Sequence, residues 1–288
     1  VSIAPRLLEL YRDEGISIVT GLNAFHLGGL NSAPFTRFIR NGENCTNGLG
    51  ISLQEIFFLE CLFEGYRPKR LFIIGNSFGW STIALALLNP ESPLVAMDAL
   101  IDKNSVAGLE LTNRIAGKAK LSNVAAVRGT SPQDVKEVLN RNFSEPPDFV
   151  FIDGWHTNKQ VLLDFQAVRQ ITGDAVFLFH DVHEFKLHSA LAKIVRETGW
   201  TARKLMATPS GMVILYPPAM AGLLDSSVLD VFGPSDKLLR VVEAEATRTA
   251  PRYFRGYLAV SAIRNKIRAW TGREPAHFPY DRPTQVGY

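Results

Sequence analysis

The chain has 288 residues, 46% of them hydrophobic and 20% charged. That is enough for one large α/β domain with additions or two small domains, and too apolar for disorder. Its 31 Lys and Arg against 28 Asp and Glu leave a net charge of +3, too small to imply nucleic acid by itself. The excess is concentrated, because ten basic residues face five acidic ones from Asp236 onward. Cys45 and Cys61 make no C-x-x-C pair and no disulfide framework, which suits a reducing compartment. No apolar run reaches the roughly 18 residues of a membrane span, and the amino terminus shows no basic-then-apolar leader. A cytoplasmic protein with no membrane partner is expected.

Residues 4–14 predict a short surface helix. Between Gly21 and Gly50, Gly28-Gly29, Asn41-Gly42 and Asn47-Gly48 break any regular pattern. Such a stretch predicts a lid carrying Phe25, His26, Phe35 and Phe38, or a leader with no role. Ser52-Leu-Gln-Glu55 has the spacing of a helix capping box, and Gly65 with Pro68 closes the helix it opens. Alternation follows. Strands are predicted at 70–74, 94–97, 124–127, 149–152 and 175–179, and helices at 81–88, 103–118, 132–140, 158–170 and 184–198. Near-continuous apolar strands between helices indicate a parallel sheet covered on both faces. Residues 201–206 and 212–216 flank a turn too short for a helical crossover, so they pair antiparallel. The predicted fold class is therefore α/β: a Rossmann-like three-layer sandwich whose seven-stranded, mostly parallel sheet is closed by an antiparallel hairpin. Residues 218–288 predict a helical extension ending in a Pro-rich tail.

Two strand ends carry candidate chemistry. The 149–152 strand runs into Asp153-Gly-Trp-His156, and the 175–179 strand into His180-Asp181. Ligands of an open parallel sheet sit at the carboxyl ends of its strands. Asp153, His156, His180 and Asp181 are all able to bind a metal or move a proton. At the first strand, Gly75-Asn76-Ser77-Phe78-Gly79 leads into a helix near Ser81-Thr82. Glycine lets that backbone turn sharply and approach a ligand. Asp98 stands about 20 residues on, at the next strand end, placed to accept hydrogen bonds from the two hydroxyls of a ribose.

These residues resemble the class I S-adenosylmethionine-dependent methyltransferases over roughly residues 50–217. The resemblance implies a cofactor site made of Gly75, Asn76, Ser77, Gly79, Ser81 and Thr82, with Asp98 on the ribose. Gly129-Thr130-Ser131 is similar to the segment bordering the adenine. Ile73 departs from the family, many of whose members carry an acid two residues before the first glycine. Asp153-Gly-Trp-His156 resembles a pattern of the catechol-type and macrocin-type O-methyltransferases. It implies Asp153 as cofactor contact, metal ligand and catalytic residue, and a metal site shared with His180 and Asp181. His180 stands where the family usually has a carboxylate or amide. Carboxylate ligands suit Mg²⁺, whereas a nitrogen ligand favours Mn²⁺, Fe²⁺ or Zn²⁺.

The expected activity is methyl transfer from S-adenosylmethionine to an oxygen of a small molecule, a phenolic or glycosylated natural product. His156, a divalent cation, or both take the proton. The alternatives are metal-independent N- or C-methylation with His156 as base, and a non-catalytic protein that keeps the fold for binding. His156 also has a structural reading, as a cap of the helix that follows. Lys159 and Asp164 read as surface or structural residues. Trp80 and Trp155 read as cavity walls or core. Nucleic acid is not expected as a partner. The division is residues 1–50 as lid or leader, 51–217 as methyltransferase domain and 218–288 as extension. Leu258, Ile263, Ile267 and Trp270 give the extension a basic amphipathic helix, expected to serve homo-oligomerisation or substrate gating.

Overall fold

The computed structural model describes residues 2–27, 30–224 and 227–249, together with positions 263, 266, 267 and 270. The side chains of Phe25 and His26 fall outside this set, as does most of the basic amphipathic helix expected near the carboxyl end.

Helix α1 (Ala4–Arg12) leads into strand β1 (Ser17–Val19), followed by β2 (Arg37–Arg40) and β3 (Glu43–Asn44). The three strands form an antiparallel sheet in the order β1-β2-β3. The structure thus corrects the reading of residues 21–50 as free of regular pattern. Asn41-Gly42, taken as a breaker, is a two-residue hairpin turn between paired Arg40 and Glu43. Both turn residues have positive φ, 54° and 81°, the conformation for which Asn-Gly is favoured in tight hairpins.

Helix α2 (Leu53–Gly65) starts at the expected capping box. Ser52 Oγ accepts from Glu55 N at 3.2 Å, and Glu55 Oε2 accepts from Ser52 N at 2.8 Å. The βα series follows as β4 (Leu71–Ile74), α3 (Trp80–Leu88), β5 (Leu94–Asp98), α4 (Ser105–Lys118), β6 (Val124–Arg128) and α5 (Val135–Asn142). It continues with β7 (Phe149–Ile152), α6 (Asn158–Thr172), β8 (Val176–Phe179) and α7 (His188–Thr198), then the hairpin β9 (Thr201–Lys204) and β10 (Val213–Tyr216). α5 and α7 begin later than predicted, leaving residues 181–187 as a loop beside the site.

The main sheet has the order β6-β5-β4-β7-β8-β10-β9. Its first five strands are parallel, and β10 runs antiparallel to both β8 and β9. Successive strand residues face opposite sides of a sheet, and the core divides accordingly. Leu71, Ile73, Phe149 and Phe151 pack with α1–α4, whereas Phe72, Ile74, Val150 and Ile152 pack with α5–α7. This is the expected three-layer sandwich. After β10 come α8 (Ala221–Leu224), α9 (Ser227–Phe232) and α10 (Asp236–Thr249). α9 docks on α2, with Phe232 against Phe57 and Phe58 at ring separations of 6.1 and 5.0 Å. Among the described residues no helix is long and apolar enough to cross a membrane.

Candidate active site

The turn from β4 into α3 is held by the end of β5. Asp98 Oδ2 accepts from the backbone N–H of Asn76 and of Ser77, each at 2.8 Å, and Oδ1 accepts from Leu100 N at 2.7 Å. A carboxylate has about four lone-pair sites, so three backbone donors leave about one open toward the cavity. Asp98 thus has a structural role in the loop besides the expected contact with a ribose. Gly75 has φ +99°, and a Cβ there would lie 2.1 Å from the Asp153 carbonyl oxygen. Its hydrogen side chain is therefore required by the neighbouring strand end. Asn76 is buried with its amide turned into the scaffold, donating to Thr112 Oγ1 at 3.0 Å and accepting from Thr82 Oγ1 at 2.9 Å.

A cavity of about 650 Å³ opens in front of this loop, within the range of small-molecule sites. Gly75, Ser77, Asp98, Ser131, Asp153 and His156 all line it. So do Ser81, Gly129 and Thr130. Gly79 and Thr82 do not: Gly79 abuts Thr112, and Thr82 is fully buried. These two, expected among the cofactor contacts, pack behind the loop.

At the ends of β7 and β8 the charged residues converge. His180 is buried, with Nδ1 3.0 Å from Asp153 Oδ1 and 3.2 Å from Asp181 Oδ1, and Nε2 3.3 Å from Glu55 Oε2. These distances suit ion pairs, yet neither ring nitrogen makes an aligned hydrogen bond. Adjacent strand residues point apart, so His180 and Asp181 could not meet on one regular strand. Asp181 has φ +55°, a left-handed conformation uncommon outside glycine, which breaks the alternation. Burial opposes charge on the Asp153 carboxyl, but His180 and His156 beside it outweigh that and hold its pKa down to about 2. Burial likewise opposes charge on His180, and Asp153, Asp181 and Glu55 overcome it, holding its pKa well above the usual value. His156 Nε2 lies 3.5 Å from both Asp153 Oδ1 and Asp181 Oδ2 without an aligned hydrogen bond. Its ring stacks on Phe185 at 4.6 Å. The cap of α6 is Thr157, whose side chain accepts from Gln160 N, so the capping role is filled without His156.

Residues 72–182 match the family model described as a methyltransferase domain. The match covers less than half of the chain, and it marks this stretch as similar to a methyltransferase domain. Among solved structures, an O-methyltransferase from Bacillus cereus in complex with SAH is 18% identical, with 58% of this chain and 82% of that chain covered at a TM-score of 0.45. The O-methyltransferase TomG from Streptomyces achromogenes, involved in tomaymycin synthesis and in complex with SAM, is 16% identical, with 58% and 80% covered, also at 0.45. Likenesses this distant add nothing to the fold already described. No curated protein matches the chain.

The ends of β7 and β8 bring Asp153, His156, His180 and Asp181 together as the sequence implied, and one ligand atom each from Asp153, His180 and Asp181 lie within 4.8 Å of one another. Sequence reasoning missed two buried carboxylates beside them. Glu55 is fully buried against His180, although the capping-box spacing accounts for it without any tertiary partner. Asp164, read as surface or structural, is 1% exposed and lines the cavity. It accepts from Gln160 Nε2 at 2.7 Å, while burial pushes its pKa up. Its place between Val161 and Val168 on the apolar stripe of α6 was a signal. Trp155 is exposed where it lines the cavity, and Trp80 also lines it from a buried position, donating from its ring N–H to the Ile51 carbonyl at 3.1 Å. Lys159 is exposed, as expected.

Proposed function

We propose that the protein transfers the methyl group of S-adenosylmethionine to an oxygen of a small-molecule acceptor, a phenolic or glycosylated natural product. One observation carries this reading: a single cavity is lined both by the glycine loop with Asp98 and by Asp153, His156, His180 and Asp181. The loop and Asp98 hold the methionine and ribose parts of the cofactor, and Gly129, Thr130 and Ser131 border its adenine. Bound there, the cofactor supplies an electrophilic methyl group. His156 accepts the proton of the acceptor hydroxyl at Nε2, which no aligned hydrogen bond already occupies.

A divalent cation fits the same strand ends. His180 Nδ1 is a buried nitrogen with no aligned partner, facing two carboxylates. Asp153, His180 and Asp181 would hold the ion, which supplies Lewis acidity toward an oxygen ligand when bound. Their mixed donor set favours Mn²⁺, Fe²⁺ or Zn²⁺ over Mg²⁺. The reading takes residues 51–217 as the catalytic domain and 218–288 as an extension serving assembly of like subunits, in the reducing cytoplasm to which two free cysteines are suited.

Isothermal titration with S-adenosylhomocysteine tests the cofactor site, and no binding at millimolar ligand would refute the proposal. A chelator added to an active preparation then separates metal-assisted O-methylation, which stops, from a metal-free reaction, which continues.

A further inference from the structure

Glu55 lies outside the matched methyltransferase domain, on α2, yet it is fully buried against the reaction centre. Both of its oxygens are occupied by donors. Oε2 accepts from Ser52 N at 2.8 Å, and Oε1 accepts from Ser210 N at 3.1 Å and from the Ser210 hydroxyl. Backbone N–H groups can only donate, so Glu55 is an acceptor at both ends, and a bare Nε2 of His180 facing Oε2 would be repelled. The proton therefore sits on Nε2. Nδ1 is then the nitrogen left facing Asp153 and Asp181 at 3.0 and 3.2 Å, where either a proton or a metal cation satisfies the two carboxylates.

We propose that Glu55 is a positioning residue that fixes His180 in its Nε2–H tautomer, so that Nδ1 joins Asp153 and Asp181 in a mixed nitrogen–oxygen site selective for Mn²⁺ over Mg²⁺. A carboxylate behind a metal-bound histidine fixes tautomer and ring orientation, and its loss typically costs about 10–100-fold in metal affinity. Here the carboxylate comes from another part of the chain and is anchored at three points. The capping box fixes it to the start of α2. Ser210 fixes it to the β9–β10 turn, and Ser210 O in turn accepts from His183 N at 3.0 Å, beside the β8 end. Ligand geometry is thereby tied to the packing of α2 on the sheet.

The inference rests on the metal site proposed above, and one set of experiments separates the two. Mn²⁺ and Mg²⁺ are titrated calorimetrically into the full chain freed of metal, without substrate. Electron-spin-echo spectra of bound Mn²⁺ are recorded with protein carrying ¹⁵N at histidine Nδ1. The expected results are at least tenfold tighter binding of Mn²⁺ than of Mg²⁺, and nitrogen coupling from Nδ1. Glu55→Gln keeps a side chain able to cap the helix and should weaken Mn²⁺ binding by about 10–100-fold, with S-adenosylhomocysteine affinity unchanged. Absence of Mn²⁺ binding to the parent protein overturns the metal site itself. Binding with no nitrogen coupling, or with coupling from Nε2, leaves a metal site but overturns the role of Glu55. So does a folded Glu55→Gln protein with parental Mn²⁺ affinity and spectrum. Should that variant fail to fold, the labelled spectrum of the parent protein decides alone.

Discussion

Replacing Gly75 by alanine separates two reasons for a glycine at this turn, approach to a ligand and approach to a neighbouring strand. An alanine Cβ at position 75 would lie 2.1 Å from the Asp153 carbonyl oxygen and 2.7 Å from its carbon, both backbone atoms. The backbone φ of +99° adds conformational strain. The conformational part costs about 1–2 kcal/mol, and relieving the overlap by moving strand ends costs roughly another 1–3 kcal/mol. Gly15 provides the control, since it has φ +70° and nothing within 4 Å of a built Cβ, so Gly15→Ala should show the conformational part alone. At about 2–4 °C of melting temperature per kcal/mol for a domain of this size, Gly75→Ala should melt roughly 10 °C below the parent and Gly15→Ala only about 2–8 °C below. Thermal unfolding followed by circular dichroism in the absence of ligand reads both. If Gly75→Ala melts no lower than Gly15→Ala yet loses S-adenosylhomocysteine binding, the glycine is kept for the ligand and the packing argument is wrong.

Asp98→Ala should weaken S-adenosylhomocysteine binding by about 1.5–3 kcal/mol and also lower the melting temperature, because three backbone donors lose their acceptor. An unchanged dissociation constant would place the ribose elsewhere. His156→Ala should reduce turnover by about 10²–10⁴ while leaving cofactor affinity intact; unaltered turnover at saturating substrate would remove it as the base. Glu14 ties the segment after α1 to Arg114 and Lys118 on α4, and although its burial works the other way, these two cations hold its pKa below the usual value. Its contribution is therefore complete above the unfolded pKa of about 4.3 and lost as pH falls through the lower folded value. With both cations about half exposed or more, Glu14→Gln should cost no more than about 1 kcal/mol near neutrality, and the gap in melting temperature should close in acid. A gap that persists at pH 3 would contradict the assignment.

The main sheet was legible because its strands are buried on both faces, and runs such as Phe149–Ile152 then read as continuous apolar segments between helices. The short 201–216 connection forced the antiparallel hairpin for a purely geometric reason. The amino-terminal sheet was missed although its strongest signal lay in plain view. Asn41-Gly42 was weighed as a breaker inside a glycine-rich stretch, when the same dipeptide between extended residues marks a hairpin. At the site, strand-end chemistry showed through because Asp153, His156, His180 and Asp181 interrupt apolar runs. Glu55 did not show through. Its local role at the start of α2 satisfies every rule that sequence can apply, and its contact with His180 exists only once α2 packs on the end of β8. Asp98 shows the opposite limit: its position at a strand end was readable, but the three backbone donors that occupy it depend on how the loop closes.

The amino-terminal sheet bears on selectivity as well as on fold. Ser32, Phe35, Asn47 and Leu49 line the same cavity as the strand-end residues, and all four precede the matched methyltransferase domain. They are held there by folded structure, through the pairing of β1 with β2 and the Thr36–Gly50 bridge. The segment rests on the glycine loop itself, since a Cβ built on Gly48 would lie 2.9 Å from Ser77 Oγ and one on Gly50 would lie 3.0 Å from the Trp80 ring. Glycine loop and amino-terminal segment are thus in van der Waals contact, and a displacement of either is felt by the other. Exchange of cavity-lining side chains in this segment changes a wall of the site without replacing Asp153, His156, His180 or Asp181, although Phe35 packs edge-on against the His180 ring at 6.1 Å. Loss of the β1–β2 pairing disturbs the glycine loop as well. Variants at Phe35 and Leu49 should therefore move acceptor KM with S-adenosylhomocysteine affinity unchanged, whereas deletion of residues 1–50 should abolish both.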